Sequence, residues 1–397
     1  MDTRVEFCRH LGVCGGCSVP HPGYPLQLQA KEAALRDTLS RVIGRSPALG
    51  ERLFVSEPGG GDAAGPAEPH AFRQKVAFGF GAAPGGRSLV MGHYERGTQR
   101  VVPVTECPVH SARGNRIAFA LREYLARAGI GAAGSGRLSV LRHLVVRTTA
   151  DDREAIAMLV VSRNEKPLRA PVRALLSSRE RPDGFFININ AQPGPFMVGA
   201  ETVRIDGRSH VRERVGGLSF LISPTTFFQT NVAAAAALQR TVLEAVDQAG
   251  RVLDLYCGSG LFSLPMAAAG RHVIAVEENR QAIRDAEANR RLNRIPPERV
   301  RFIPARVEEA ADTFGRERWD AVVIDPPRQG CSPSVLDAVF RRLAPARVVY
   351  VSCNLQALAG ELPTALAAGY RVERVQAVDM FPHTEHIETV VTLERTR

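Results

Sequence analysis

The sequence predicts an α/β protein in which a doubly wound parallel sheet follows a mostly antiparallel α+β domain. Buried β-branched runs alternate with helical segments after Asn231, as the βαβ units of a parallel sheet require. Three of these runs end in a polar residue, at Glu277, Asp325 and Cys353. The first half instead contains short strand-like runs with few helical segments between them. We therefore predict two domains, 1–228 and 229–397.

The elements of the first domain are predicted from their periodicity and composition. Leu26–Ile43 has apolar residues on one helical face, and Ser111–Ala128 is predicted as a second helix. Pro58–Pro69 is rich in Gly, Ala and Pro and is therefore predicted to be a loop. The predicted strands are Lys75–Phe80, Leu89–Tyr94, Leu141–Thr148, Ala155–Val161 and Phe185–Asn190.

The composition favours a cytoplasmic protein with a polyanionic partner. No apolar run reaches the roughly 18 residues of a membrane span, and Met1–Glu6 contains no signal-peptide core, so we expect no membrane association. The seven cysteines are then expected to bind metal or act in catalysis rather than form disulfides. Lys plus Arg number 51 against 41 Asp plus Glu, which suits RNA, although a GC-rich genome would give the same arginine excess. Nothing in the sequence implies an obligate protein partner.

Closely spaced cysteines open the chain, at Cys8, Cys14 and Cys17, and a fourth follows at Cys107. Four soft thiolates suit either zinc or an iron–sulfur cluster. Zinc sites more often contain two Cys-x-x-Cys pairs, so the spacing here favours a cluster. Unrelated buried cysteines remain the alternative.

Arg251–Gly260 is predicted as a strand followed by a glycine turn that contains Gly258 and Gly260, with a helix after it. The next buried strand, Val273–Glu277, ends in an acid at about the interval expected for a carboxylate that binds ribose hydroxyls. A dinucleotide site would carry a third glycine, which Phe262 and Ser263 replace. The pattern therefore favours S-adenosylmethionine over a dinucleotide.

Cys353 lies where a buried strand gives way to a predicted helix, Leu355–Leu366. The carboxyl ends of such strands are where open α/β sheets bind ligands. The helix dipole is expected to lower the pKa of a thiol at this position, which would favour a nucleophile. A small buried side chain without chemistry is the alternative reading.

Taken in order, these motifs closely resemble those of the RNA uracil-C5 methyltransferase family, almost from end to end. The cysteines resemble those of members that methylate 23S ribosomal RNA, in the branch that lacks an N-terminal RNA-binding barrel. The matching segments are Cys8, Cys14, Cys17 and Cys107, then Phe72–Lys75, Phe228–Asn231, Asp254–Gly260, Asp325–Arg328, Ser352–Asn354 and His386–Glu388.

The resemblance implies a Rossmann-like domain that binds S-adenosylmethionine, and a 4Fe–4S cluster held by Cys8, Cys14, Cys17 and Cys107. It implies that Cys353 is the nucleophile and Glu388 the base. It also implies that Gln229, Tyr256, Glu277 and Asp325 line the cofactor and substrate pocket, with Asp325 bonded to the uracil edge. Arg306 departs from the Asp or Asn that relatives often carry near the adenine, so no adenine contact is assigned to it.

The implied chemistry explains why these residue types are needed. C5 of uracil is a weak nucleophile, and a thiolate that adds to C6 turns C5 into an enolate carbon able to take a methyl group. A base must then remove the C5 proton before the thiolate can leave. The target base must leave its stack to reach the thiol, so base flipping is expected.

Three alternatives to this function remain. The same chemistry on tRNA would need the same catalytic residues. A methyltransferase acting on an exocyclic amine would need no thiol, and Arg328 stands where those enzymes carry an aromatic residue. A non-catalytic RNA-binding metalloprotein would explain the cysteines and the charge, but not Cys353 together with Glu388.

Overall fold

The computed structural model describes residues 8–18, 23–44, 46–50, 53–54, 69–83, 88–134, 138–192, 197–314 and 317–396. Met1–Glu6 and residues 58–68 of the predicted loop lie outside the described residues. Tertiary contacts divide the described chain into two units. The first comprises described residues of 8–18, 69–213 and 222–225, and the second those of 23–54, 214–221 and 226–396.

The helices and strands largely match the predicted segments. Among the described residues, no helix is both long enough and apolar enough to cross a membrane. The helices are α1 (Tyr24–Ile43), α2 (Ala112–Arg127), α3 (Arg169–Leu176), α4 (Val232–Ala245), α5 (Ser263–Ala268), α6 (Arg280–Leu292), α7 (Val307–Thr313), α8 (Pro333–Asp337) and α9 (Leu355–Ala367). The strands are β1 (Lys75–Ala82), β2 (Leu89–Tyr94), β3 (Val101–Pro103), β4 (Gly131–Ala132), β5 (Ser139–Thr148), β6 (Ala155–Val161), β7 (Gly184–Ile189), β8 (Glu201–Gly207), β9 (Val211–Val215), β10 (Leu218–Ile222), β11 (Arg251–Leu255), β12 (His272–Glu277), β13 (Val300–Pro304), β14 (Ala321–Ile324), β15 (Arg347–Ser352), β16 (Tyr370–Val378) and β17 (Glu388–Arg395).

The first unit is built on a mostly antiparallel sheet, as the short strand runs predicted. Its strand order is β3-β2-β1-β5-β6-β7-β8, with β4 beside β5. In the described residues the pairs β4–β5 and β6–β7 are parallel and the other pairs antiparallel. Alternate residues such as Val76 and Phe78 enter a core that also contains Ile117 and Leu121 of α2.

The second unit contains the predicted doubly wound sheet. Its described strands follow the order β13-β12-β11-β14-β15-β17-β16. β11 to β15 pair in parallel, and β17 lies antiparallel between β15 and β16. Runs such as Val348–Val351 are buried on both faces, which explains their continuous apolar sequence. The order reverses between β11 and β14, so a crevice is expected at the carboxyl ends of these strands.

Helix α1 belongs to the second unit, although the predicted domain 1–228 included it. Leu35 and Leu39 are fully buried in a core that contains Leu253 of β11 and Tyr350 of β15. These are contacts between residues far apart in sequence, which helical periodicity alone does not reveal. The chain passes between the two units three times in this region, at 213/214, 221/222 and 225/226.

Candidate active site

A cavity of about 790 Å³ lies in the second unit, at the carboxyl ends of β11, β12, β14 and β15. This is the edge at which the strand order reverses and where doubly wound sheets bind their ligands. The six residues predicted for cofactor binding and catalysis all line this cavity. They are Gln229, Tyr256, Glu277, Asp325, Cys353 and Glu388.

The glycine turn and Glu277 form one wall of the cavity. Gly258 and Gly260 have φ angles of 54° and 91°, in the left-handed region that favours glycine. A Cβ on Gly260 would lie 2.9 Å from Leu264 Cγ. The Glu277 carboxylate accepts hydrogen bonds from the backbone N–H groups of Gly258 at 3.1 Å and Asn279 at 2.8 Å. These bonds fix the carboxylate and leave further lone pairs for a ligand hydroxyl.

Asp254 of β11 contacts Ser263, the first residue of the helix that follows the glycine turn. It is fully buried, and its Oδ2 accepts a hydrogen bond from the Ser263 hydroxyl. Its Oδ1 has no hydrogen-bond partner among the described residues. Burial raises the pKa of Asp254 to about 7, against a weaker opposing effect of the Ser263 bond. The charge of Asp254 in turn contributes to raising the pKa of Asp325.

Cys353, Asp325 and Glu388 are close enough to influence one another's ionisation. Burial raises the pKa of Asp325 and of Glu388, and Asp325 raises that of Glu388 further. Burial also raises the pKa of the Cys353 thiol to about 11, with added contributions from Glu388 and Asp325. At neutral pH the thiol is therefore protonated, and the charge of an ionised Asp325 makes ionisation of Glu388 less favourable.

The expectation that the helix dipole lowers the pKa of Cys353 was wrong for this structure. The thiol does lie at the N-terminus of α9, as predicted. However, burial and the two neighbouring carboxyl groups outweigh any effect of the dipole. Arg328 opposes them and lowers the pKa of both the thiol and Glu388.

The loop that carries Cys353 is fixed to the loop that follows Asp325. The Asn354 side chain caps α9 by accepting from the N–H groups of Gln356 at 3.1 Å and Ala357 at 3.4 Å. Its amide nitrogen donates to the Arg328 carbonyl at 2.8 Å. Ser352 donates from its hydroxyl to the Asn354 carbonyl at 3.0 Å. Asn354 therefore sets the thiol and the Asp-Pro-Pro-Arg loop in one arrangement.

Other cavity residues were not predicted as functional. Phe227 lines the cavity and has 68% of its surface exposed, which is unusual for phenylalanine and suits a stacking partner. Arg328 and Phe381 also line it. Arg328 belongs to the Asp325–Arg328 segment noted in the sequence, and Phe227 directly precedes the Phe228–Asn231 segment, so these positions were the available signal. Arg306 lies on the cavity wall at the N-terminus of α7, 3.8 Å from Glu308.

The predicted metal ligands lie together in the first unit. Cys8, Cys14, Cys17 and Cys107 line one cavity of about 20 Å³, with His93 among its other lining residues. Within the part of the chain that the structure describes, no three Cys, His, Asp or Glu side chains are arranged to hold a metal ion. The thiols therefore share a cavity without converging on a single-ion site.

Backbone geometry brings the N-terminal thiols to this cavity. Gly12 has a φ of 86°, and the Gly15 N–H donates to the Tyr94 carbonyl at 2.9 Å. A Cβ on Gly15 would lie 2.7 Å from that carbonyl oxygen, so the chain can approach β2 this closely only with glycine. Burial raises the pKa of Cys17 to about 11 and of Cys107 to about 12, while the positive charge of Arg73 lowers both.

Comparisons with known proteins place this arrangement among RNA-modifying enzymes. The family model described as tRNA (Uracil-5-)-methyltransferase matches residues 199–396. An uncharacterized RNA methyltransferase of Gloeobacter violaceus is 34% identical over 99% of this chain and 83% of its own length. One from Geobacter sulfurreducens is 33% identical over 97% of this chain and 76% of its own length. The structure of Pyrococcus abyssi tRNA (uracil-54, C5)-methyltransferase with S-adenosyl-L-homocysteine superposes with a TM-score of 0.76, at 27% identity, over 96% of this chain and 84% of that one.

The sheet with its reversed β17, and the glycine turn and acid beside its switch point, define an S-adenosylmethionine-dependent methyltransferase. The relatives narrow this class to enzymes that act on RNA. The chain belongs to the RNA uracil-C5 methyltransferase family.

We predict that Cys353 is alkylated slowly at pH 7, because its raised pKa leaves little thiolate. Its rate with iodoacetamide should rise about tenfold per pH unit up to the pKa, since the thiolate is the nucleophile. Mass spectrometry of the peptide that contains Cys353 measures this rate. Glu388→Gln should accelerate the reaction at a given alkaline pH, and Arg328→Met should slow it. A rate that is already maximal at pH 7 would show that the resting thiol is ionised.

Proposed function

We propose that this enzyme methylates C5 of a uridine through a covalent bond between Cys353 and C6 of the base. The observation that carries the proposal is the shared cavity, in which Cys353, Asp325 and Glu388 lie with the glycine turn. A thiol and a base beside a cofactor site are what this two-stage chemistry requires. Methylation of an exocyclic amine would leave the thiol and Glu388 without a role.

Each of the three residues has a distinct task in this mechanism. Cys353 Sγ releases its proton to solvent, bonds to C6 and moves electron density onto C5 and the uracil carbonyl. A protonated Asp325 can donate a hydrogen bond to the uracil edge, where negative charge develops. Glu388 takes the proton from C5 after methylation, and the C6–S bond then breaks to release the thiolate. Its raised pKa suits a base that works near neutral pH.

The cofactor pocket is proposed to comprise Gln229, Tyr256, Glu277 and Asp325. S-adenosylmethionine, when bound, supplies an electrophilic methyl group. Glu277 fits a ribose diol because its carboxylate is held by two backbone N–H groups at the cavity wall. The glycine turn leaves room for a ligand against the backbone.

We infer that the substrate is 23S ribosomal RNA, with tRNA as the second candidate. The four cysteines in one cavity support the ribosomal branch that the sequence resembles. The family model and the Pyrococcus abyssi enzyme carry the word tRNA in their descriptions, which favours tRNA. The charge of +10 suits either polyanion, and both are found in the cytoplasm, where we expect the enzyme to act.

A flipped uridine could stack on the exposed Phe227 as it enters the cavity.

A deletion strain decides between these RNAs. We expect one 5-methyluridine to disappear from 23S ribosomal RNA, as mapped by mass spectrometry of nuclease fragments, and tRNA to stay unchanged. Loss of 5-methyluridine from tRNA alone would assign the enzyme to tRNA. Restoration by the wild-type gene, but not by one encoding Cys353→Ala, provides the control.

We predict that Cys353→Ala abolishes methylation, because it removes the thiol proposed to add to C6. S-adenosylmethionine binding should persist, since the thiol attacks the base and does not hold the cofactor. Methyl incorporation and calorimetric binding measure the two properties. Cys331→Ala is the matched control, because Cys331 lines the same cavity and is expected to retain turnover. Appreciable methylation by Cys353→Ala would refute the covalent mechanism.

We predict that Glu388→Gln stops after methyl transfer. The thiolate cannot leave until the C5 proton is removed, so a methylated protein–RNA adduct should accumulate on denaturing gels. Normal turnover without an adduct would mean that another group is the base.

We further propose that Cys8, Cys14, Cys17 and Cys107 hold a 4Fe–4S cluster with a structural, RNA-facing role. Four thiols that line one cavity, three of them closely spaced in the sequence, are the ligand set that such a cluster requires. Metal binding requires thiolates; burial raises the pKa of Cys14, Cys17 and Cys107, and the charge of Arg73 opposes this at all three. Cys107 is remote in sequence, so the cluster would tie the N-terminal segment to the sheet of the first unit.

We predict that anaerobically purified protein is brown, with about four iron and four sulfide ions per chain. Cys14→Ser should lose the colour and weaken RNA binding or solubility, while S-adenosylmethionine binding survives. Cys331→Ala should keep the colour, because Cys331 lies outside the group. Stoichiometric zinc without iron would refute the cluster and support a zinc site.

A further inference from the structure

The buried face of α1 changes character along the helix. Its N-terminal part buries Tyr24, Gln27 and Lys31, which are at most 5% exposed. The same face continues with Leu35 and Leu39, both fully buried. The spacing of three or four residues places all five side chains on one side of the helix. Half of this face is therefore polar although it is covered by protein.

The polar half of α1 binds the loop 379–387, which joins β16 to β17. Lys31 Nζ lies 2.7 Å from Asp379 Oδ1 in an ion pair whose side chains are 4% and 0% exposed. The same ammonium donates to the Phe381 carbonyl at 3.0 Å. The Tyr24 hydroxyl donates to the second oxygen, Asp379 Oδ2, at 2.9 Å. Both carboxylate oxygens of Asp379 are thus engaged by α1.

Gln27 holds the middle of the same loop. Its side-chain oxygen accepts from the backbone N–H of His383 at 3.0 Å, and its nitrogen lies 3.3 Å from His383 Nδ1. His383 has a φ of 61°, a conformation that a residue with a side chain adopts only when its surroundings impose it. The contact with Gln27 contributes that constraint.

The loop begins and ends at the candidate active site. Val378, the residue before Asp379, is the register partner of Glu388 across the β16–β17 pair. Phe381, within the loop, lines the active-site cavity, as does Glu388 at its end. A shift of Asp379 would therefore be transmitted directly to the strand end that carries Glu388.

Stability alone does not explain a polar face at this position. Replacing a buried ion pair by well-packed apolar side chains is often neutral or stabilising, because the charges no longer have to be desolvated. Leu35 and Leu39 show that this helix buries apolar residues on the same face one and two turns further along. The ion pair and its hydrogen bonds require specific distances and angles, so they fix loop 379–387 in one position relative to α1.

We propose that Tyr24, Lys31 and Asp379 are positioning residues for the proton-removal step. They hold loop 379–387 so that the Glu388 carboxyl group reaches the C5 proton of the methylated base. The inference rests on the proposed role of Glu388 as that base.

The test separates methyl transfer from proton removal in a single turnover. RNA carrying 5-tritiouridine and S-adenosylmethionine carrying a ¹⁴C-methyl group report the two steps independently. In Tyr24→Phe and Lys31→Met, tritium release should lag behind methyl incorporation by about tenfold or more, because small displacements of a catalytic group cost this much. A methylated covalent adduct should accumulate in the interval. Lys31→Arg, which keeps the charge, should restore part of the release rate.

Leu39→Ala is the matched control on the same helix. It removes a buried side chain, so it should lower the melting temperature without separating tritium release from methyl incorporation. Tyr24→Phe loses a single hydroxyl group and decides the question if Lys31→Met does not fold. Equal slowing of both steps in Tyr24→Phe and Lys31→Met would overturn the positioning role.

Glu388→Gln is run beside these variants to separate two kinds of failure. If it accumulates the adduct while Tyr24→Phe and Lys31→Met release tritium in step with methylation, the positioning role is wrong and the role of Glu388 stands. If Glu388→Gln itself releases tritium normally, the proposed base is wrong, and the inference falls with it.

Discussion

Three acidic groups lie together at one edge of the sheet of the second unit, and burial there makes ionisation of each one less favourable. Burial raises the pKa of Asp325, Cys353 and Glu388, and their proximity makes each further ionisation harder. The parallel strands place these groups together because their carboxyl ends meet at the same edge. Asn354 locks two of the loops to each other, and Arg328 supplies an opposing positive charge.

This constraint suits the proposed chemistry. A neutral thiol is a poor nucleophile, so the resting enzyme is protected from reaction with other electrophiles. A protonated Asp325 can donate to a substrate oxygen, and an ionised Glu388 can later accept the C5 proton. In this mechanism the thiolate forms when the uracil enters the cavity, because the polar edge of the uracil then contacts the same carboxyl groups. The proposed chemistry depends on the position of Glu388 as well as on its pKa. The polar face of α1 is proposed to fix that position by holding the loop that precedes Glu388.

The local features of the site could be predicted from the sequence, and the long-range ones could not. The residues after β11, β12, β14 and β15 were predicted to meet, and they line one cavity because parallel strands converge there. The sign of the Cys353 pKa shift was predicted wrongly, because the helix dipole is local, whereas burial of the thiol and the proximity of Glu388 result from tertiary folding. Insertion of β17 beside β15 and packing of α1 in the second unit also depend on distant contacts. The four cysteines were predicted as a group and share a cavity, although no single-ion arrangement appears among the described residues.

In the proposed mechanism, Cys353 forms a bond to C6 of uracil before the C5 substituent is removed. RNA containing 5-fluorouridine traps this bond, since fluorine cannot be abstracted as a proton and the adduct persists. The enzyme and this RNA should form a complex that resists denaturation. The trapped uracil should carry a methyl group only when S-adenosylmethionine is present. Mass spectrometry should locate one nucleotide, with one added methyl group, on the peptide that contains Cys353. A modified nucleotide on a different residue, or no covalent complex despite methylation of ordinary RNA, would contradict the account.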